Sequence, residues 1–321
     1  MKVLDLFCGA GGFSQGFLSP TIKSHLAIDI NPYALETFRL NVPEAKILEK
    51  DINCLHSSDI LKTQGSRPDI ILASPPCEEF SKANPESRRT AAERIYSDGT
   101  ARLLIDAIRL IGDLEPHVFI IENVAAIQNT GGKEIIRREF ARAGINDVHF
   151  NLVRAHQHGN PSRRLRIFIS NLRLKIPMKK PLNVMDTIGD LPPLGLESLF
   201  DPNNTFPNHI EIPVSADKEK IISKTRWGRG ASQFRVTKTK SLPNWVRLFP
   251  NRIATSINGL SRYIHPYENR LLTVREHARL MSYPDTFVFT GPTDNQYNQV
   301  GESVPPLISK MIAQEVYEHI D

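Results

Sequence analysis

Ser74-Pro75-Pro76-Cys77 sets a nucleophilic side chain directly after a rigid proline pair. The pair follows the apolar run Ile70-Ile71-Leu72-Ala73, which reads as a buried strand. A cysteine attacks as its thiolate, so this position needs a cationic or helix-terminal environment to react. In isolation Cys77 also reads as a small buried residue. The chain opens with Asp5-Leu6-Phe7-Cys8-Gly9-Ala10-Gly11-Gly12. A glycine-rich strand-to-helix turn of that kind lets the backbone approach a nucleotide-like ligand closely, although neither a strict GxGxxG nor a phosphate-loop Lys-Ser/Thr is present. Glu122-Asn123-Val124 follows the apolar Val118-Phe119-Ile120-Ile121 and offers a carboxyl suited to proton donation. Open α/β sheets bind ligands at the carboxyl ends of their strands, so the three segments are expected to meet in one crevice. Their chemistry is covalent group transfer.

The elements that must position these residues alternate. Strands are expected over Val3–Phe7, His25–Ile30, Asp69–Ala73, Val118–Ile121 and Leu165–Ser170. Helices are expected from Gly12, over Pro32–Leu40, near Asp59, over Ala101–Leu114 and over Ile135–Ala143. Repeated βα units predict an α/β fold with a doubly wound, mainly parallel sheet. From 176 to 269 the chain turns rich in Pro, Asn, Ser and Thr, which predicts a smaller irregular domain. Thr273-Val274-Arg275-Glu276 is a capping-box signature, and Pro305–Glu318 reads as a helix. The expected organisation is a catalytic domain over 1–175, a small domain over 176–269 and a returning segment over 270–321.

A length of 321 residues with 40% hydrophobic and 23% charged residues is that of a globular protein with a proper core. The net charge of +5 permits a polyanionic partner. Cys8, Cys54 and Cys77 are too few and too dispersed for a disulfide framework, and no Cys/His spacing suits a metal. With no signal-peptide core and no apolar stretch long enough for a bilayer, a cytoplasmic protein without membrane contact is expected.

Acidic residues recur after successive strands. Asp29 stands where a carboxylate hydrogen-bonds a ribose hydroxyl, and Asp51 where one meets an adenine amino group. Each also reads as a helix N-cap. Arg164 and Arg166, two apart at a strand start, are expected to share a face and either to make Cys77 cationic surroundings or to orient a substrate. A solvated edge-strand pair is the plainer reading.

Phe7-Cys8-Gly9-Ala10-Gly11-Gly12, Pro75-Pro76-Cys77-Glu78-Glu79-Phe80-Ser81, Glu122-Asn123-Val124 and Arg164-Leu165-Arg166 resemble, in order, the motifs of C5-cytosine DNA methyltransferases. So do Arg270-Leu271-Leu272-Thr273-Val274-Arg275-Glu276-His277-Ala278-Arg279-Leu280 and Gln299-Val300-Gly301-Glu302-Ser303-Val304-Pro305-Pro306. The resemblance spans nearly the whole chain outside the small domain. It implies a Rossmann-like S-adenosylmethionine-dependent methyltransferase sheet with a target-recognition domain. It makes Cys77 the thiolate that adds to cytosine C6 and Glu122 the group at N3. Arg164 would contact O2 with Arg166 in support, and the base would be flipped from duplex DNA. For S-adenosylmethionine it implies Phe7, Gly9, Gly11, Gly12, Asp29, Ile30, Asp51, Ile52 and Pro75, closed by Glu302, Ser303 and Val304. Ser81 and the stretch with Arg88, Arg89 and Arg94 would form a loop over DNA.

This chain departs from the family pattern at Ser162, where Gln is usual, and at Glu302, where Asn is usual. Between Lys220 and Tyr267 there is no Asp or Glu, while cations recur beside Trp227, Phe234 and Trp245. Such a one-sign stretch suits a phosphate-contacting surface, with Arg226, Arg229, Arg235 and Lys238 as candidate DNA contacts. The expected partners are duplex DNA and a cognate restriction endonuclease, with the chain acting as a monomer. The alternatives are RNA as substrate, or a catalytically silent DNA-binding member.

Overall fold

Lys2–Leu6 (β1), Ser24–Asp29 (β2), Lys46–Glu49 (β3), Ile70–Ala73 (β4) and Val118–Val124 (β5) pair in parallel, in the spatial order β3-β2-β1-β4-β5. The central strands are apolar almost without alternation because both faces of a parallel sheet are covered. Leu165–Ser170 (β7) runs antiparallel to β5, and His149–Arg154 (β6) closes the seven-stranded sheet beside it. β6 was not legible in the sequence: as an edge strand it is mostly half-exposed and lacks a clean period.

This computed structural model describes all residues except 77–89, 97, 98, 130, 195–205, 236–240 and 321, and gives the backbone alone for 91, 94, 234, 235 and 242. The helices are Pro32–Asn41 (α1), Ser57–Gln64 (α2), Ala91–Ile95 (α3), Leu103–Leu114 (α4), Gly132–Arg142 (α5), Val184–Ile188 (α6), Ala216–Lys224 (α7), Val274–Leu280 (α8), Thr293–Glu302 (α9) and Pro306–Ile320 (α10). Their starts follow local chemistry. Asn31 caps α1 through bonds from the Tyr33 and Ala34 amides, with Pro32 opening the helix. Thr273 and Glu276 form the expected box at α8. After the glycine turn, by contrast, only a 3₁₀ turn forms, over Ser14–Phe17.

The chain packs as two compact units. The first comprises Met1–Arg154, Leu165–Pro177 and Ile308–Asp321; the second comprises Ala155–Arg164 and Met178–Leu307. The core of the first gathers Leu4, Leu6, Ile28, Ile71, Ile121 and Phe140 from the sheet and its helices. Each such side chain contributes about 1.5–3 kcal/mol on burial. The second unit holds a three-stranded sheet of Gly230–Arg235 (β8), Ser241–Arg247 (β9) and Tyr263–Ile264 (β10), in the order β10-β9-β8. Residues 270–307, expected to return to the first domain, pack with the second unit. The capped helix α8 lies against α6 and α9 there, so the local signal for a helix carried no information on its packing partner.

Candidate active site

β1 ends at Leu6, and the chain then turns through Phe7 with φ +58°, Gly9 with φ +52° and Gly11 with φ +94°. A left-handed Phe costs roughly 1–2 kcal/mol. Gly9 N donates to Asp29 Oδ2 at 2.8 Å, and Asn31 N donates to Asp29 Oδ1 at 2.9 Å. A carboxylate with about four lone-pair sites still has capacity for a ligand hydroxyl. A Cβ built on Gly9 meets no atom within 4 Å, so the turn is open on that side, whereas at Gly11 it would press on the Phe38 ring at 2.9 Å. Gly12 is buried. Ile30 is 64% exposed, and Ile52 is buried. Asp51 caps the short turn after it by accepting from Asn53 N at 2.9 Å, as in the capping reading.

Beneath this turn Ser14 Oγ bonds Asp5 Oδ2 at 2.5 Å and His25 Nε2 at 2.8 Å, all three buried. Burial pushes the Asp5 carboxyl up to about 7, with the Ser14 bond opposing and the Asp29 charge adding to the rise. Burial pushes His25 down to about 4. Nothing in the sequence joined these three residues: Asp5 and His25 come from the paired strands β1 and β2, and Ser14 from the 3₁₀ turn that follows β1.

β4 delivers Ser74, Pro75 and Pro76 at its end. Ser74 N donates to Leu6 O at 3.1 Å, and Asn123 Nδ2 reaches Pro75 O at 3.3 Å. β5 therefore fixes the backbone two residues before Cys77. Cys77 itself, with Ser81, Arg88, Arg89 and Lys238, lies outside the described residues; of Arg94 and Arg235 only the backbone is described. Glu122 is inside β5 rather than after it, opposite Phe168 of β7, and is buried. Arg166 sits opposite Val124, and its Nε lies 2.7 Å from Glu122 Oε1. That is the diagonal contact that an antiparallel neighbour offers a long side chain.

Arg164 and Arg166 have different partners. β7 starts at Leu165, one residue after Arg164. Arg164 is 2% exposed and lies in the second unit, where Nη1 donates to Ile257 O at 3.1 Å and Gly301 O at 2.8 Å. Arg166, in the first unit, is the arginine beside Glu122. Ser162 is fully buried, accepts from Asn160 Nδ2 at 2.9 Å and faces Met281 Sδ at 3.8 Å. Glu302 ends α9 and is exposed; Ser303 Oγ bonds Val300 O at 2.9 Å, and Val304 is buried. Arg226 and Arg229 are exposed on the second unit.

The arrangement is that of a Rossmann-like methyltransferase: a glycine turn with an acid at the next strand end, and a proline-fixed strand tip beside a buried carboxyl and its arginine. The profile of the C-5 cytosine-specific DNA methylase family matches residues 1–318, and the chain belongs to that family of DNA (cytosine-5-)-methyltransferases. It is 38% identical to M.MJ0563P of Methanocaldococcus jannaschii, a provisionally named type II methyltransferase, over 100% of both chains. It is 31% identical to the type II methyltransferase M1.HphI of Haemophilus parahaemolyticus, over 98% of this chain and 86% of the relative. The fold matches the solved methyltransferase EhMeth of Entamoeba histolytica with TM-score 0.70 at 15% identity, over 100% of this chain and 99% of the other. Membership implies use of S-adenosylmethionine. The open side of Gly9, the lone pairs left on Asp29 and the exposed Ile30 fit a nucleoside-bearing cofactor.

Proposed function

We propose that this enzyme methylates C5 of a cytosine turned out of a specific duplex DNA sequence, through a transient bond between Cys77 Sγ and cytosine C6. The observation that carries the proposal is the buried Glu122–Arg166 pair on strands next to the Pro75-Pro76 tip. Cytosine C5 is a weak nucleophile. Addition of the Cys77 thiolate at C6 places negative charge on the ring, and Glu122 holds a proton at N3 where that charge arrives. Arg166 keeps the Glu122 carboxyl oriented and presents further N–H donors towards a ring carbonyl. S-adenosylmethionine, when bound, supplies an electrophilic methyl group. After transfer, water takes the C5 proton, the C5–H electron pair re-forms the C5–C6 double bond, and Cys77 departs with the C–S electron pair as the thiolate, restoring the aromatic ring. Phe7, Gly9, Gly11, Gly12, Asp29 and Ile30 would hold the cofactor, with Asp51, Ile52 and Pro75 flanking them. In this reading Arg164 gives up the contact to O2 and serves the fold instead.

The second unit, with its acid-free basic stretch, reads the DNA sequence in this proposal. The enzyme acts as a monomer on one strand at a time, and the type II relatives support a restriction endonuclease acting on the same site. Bisulfite sequencing of complex DNA incubated with protein and S-adenosylmethionine tests the whole proposal, with Cys77→Ser as control. Protected cytosines in one short motif, absent from the control, are expected. Protection that persists in Cys77→Ser would refute the covalent route, and protection only in RNA would refute the substrate.

A further inference from the structure

The C-terminal end of a helix normally carries about half a negative charge, held on carbonyls with no partner in the helix. The end of α7 is treated differently. Ile221 O accepts from Thr225 Oγ1 at 2.7 Å, and Ile222 O accepts from Arg247 Nη2 at 2.7 Å. Arg247 Nε takes Thr225 O at 2.7 Å, and its remaining donors go to His265 O, Glu268 O and Asn269 Oδ1. Every one of these acceptors is neutral. The buried guanidinium therefore removes the negative helix end and adds a charge that they do not cancel.

Against this end opens a cavity of about 470 Å³, lined by Lys220, Ile221, Lys224, Thr225, Arg226 and Arg229. No acid lines it. Lys220 has Asp217 at 3.9 Å, both well exposed, while Lys224, Arg226 and Arg229 have no acidic partner among the described residues. The turn that sets the two arginines is fixed by its own backbone: Arg229 N bonds Arg226 O at 3.0 Å, and Gly228 N bonds Arg247 O at 2.7 Å. Gly228 has φ +75°, and a Cβ there would fall 2.7 Å from the Phe249 ring, so the tight turn admits little else. The charged side chains of the lining only donate, and a phosphodiester oxygen only accepts.

We infer that this cavity is a clamp for a DNA backbone phosphate. Lys220, Lys224, Arg226 and Arg229 supply affinity and register, not base choice, and Arg247 is the scaffold beneath them. The inference rests on the DNA methyltransferase reading and sharpens it, because it assigns Arg226 and Arg229 to phosphate and adds Lys220 and Lys224 of α7.

The test is binding of the full-length protein to a fluorescent duplex, cognate or scrambled, across a salt series, for wild type, Lys224→Gln, Arg226→Gln and Arg229→Gln. These side chains are exposed, so the variants are expected to fold. The expected result is weaker binding to both duplexes by the same factor. The slope of log K against log salt should become shallower by about 0.9 for each phosphate that is no longer neutralised. An unchanged slope would overturn the clamp, and so would weakening confined to the cognate duplex, which would mean base reading. Wild type that methylates DNA while the variants keep the full slope overturns the clamp alone. Wild type with no affinity for duplex overturns the DNA reading as well.

Discussion

Glu122 Oε1 and Arg166 Nε stand 2.7 Å apart on neighbouring strands, both side chains largely withdrawn from water. The pair keeps a carboxyl and a guanidinium oriented at the same spot, on the strand next to the Pro75-Pro76 tip. An antiparallel β7 makes this possible, since the strand re-enters the sheet at the carboxyl end of β5 and brings its first residues to the site.

Removing either partner separates orientation from proton transfer. Glu122→Gln is expected to slow single-turnover methylation by about 10²-fold or more while leaving cofactor affinity in place. Arg166→Met should lower the same rate and also destabilise the fold, by about 3–5 kcal/mol, because Glu122 is left buried without its cation. Rapid-quench methyl transfer and urea unfolding read the two effects. An Arg166→Met enzyme with wild-type rate would remove Arg166 from the site.

Arg164 is expected to behave as a structural residue. Arg164→Ala strips a donor from two carbonyls, Ile257 O and Gly301 O, each costing about 1–3 kcal/mol when left unmet in the interior. Thermal unfolding should shift down markedly, and at a temperature where the variant is folded its methyl-transfer rate should fall far less than that of Arg166→Met. The opposite ranking would restore Arg164 to the base.

Gly301 leaves no room for a side chain. A Cβ there would lie 2.2 Å from Asn258 C and 2.3 Å from Gly259 N, backbone atoms that cannot swing away. Gly301→Ala should therefore cost at least the roughly 1–3 kcal/mol typical of overpacking. A melting temperature equal to that of wild type would show that the 257–261 turn moves freely.

The Asp5–Ser14–His25 cluster makes a prediction about pH. Asp5 is raised to about 7 from an ordinary 3.8, so the folded chain holds an extra proton between those values, and raising pH through them lowers stability. His25 is lowered to about 4 from 6.5, so the unfolded chain holds the extra proton between pH 4 and 6.5, and raising pH there increases stability. The two slopes oppose each other from pH 4 to 6.5. His25→Asn removes one of them. The variant should lose stability with rising pH, relative to wild type, at up to about 1.4 kcal/mol per pH unit. Parallel urea-unfolding profiles at pH 5 and 6.5 would contradict this.

The sequence by itself determined the strand–helix alternation, the caps of α1 and α8, and the segments that carry chemistry, since each depends on residues near one another in the chain. The glycine turn and Asp29 were legible for that reason, although the left-handed strain at Phe7 was not. What only the tertiary structure decided is which long side chains meet. Arg164 and Arg166 are equivalent as letters. One falls before the start of β7 and is buried on backbone carbonyls; the other falls inside β7, where an antiparallel partner sets it diagonally across from Glu122. Arg247 looked like one more cation in a basic stretch and is instead a buried scaffold for the end of α7. Strand register and the place where a strand starts are set by pairing with distant segments. A one-residue change in register reverses the face a side chain takes, and the partners of Arg164 and Arg166 are brought in by distant segments, so local pattern alone could not assign these arginines.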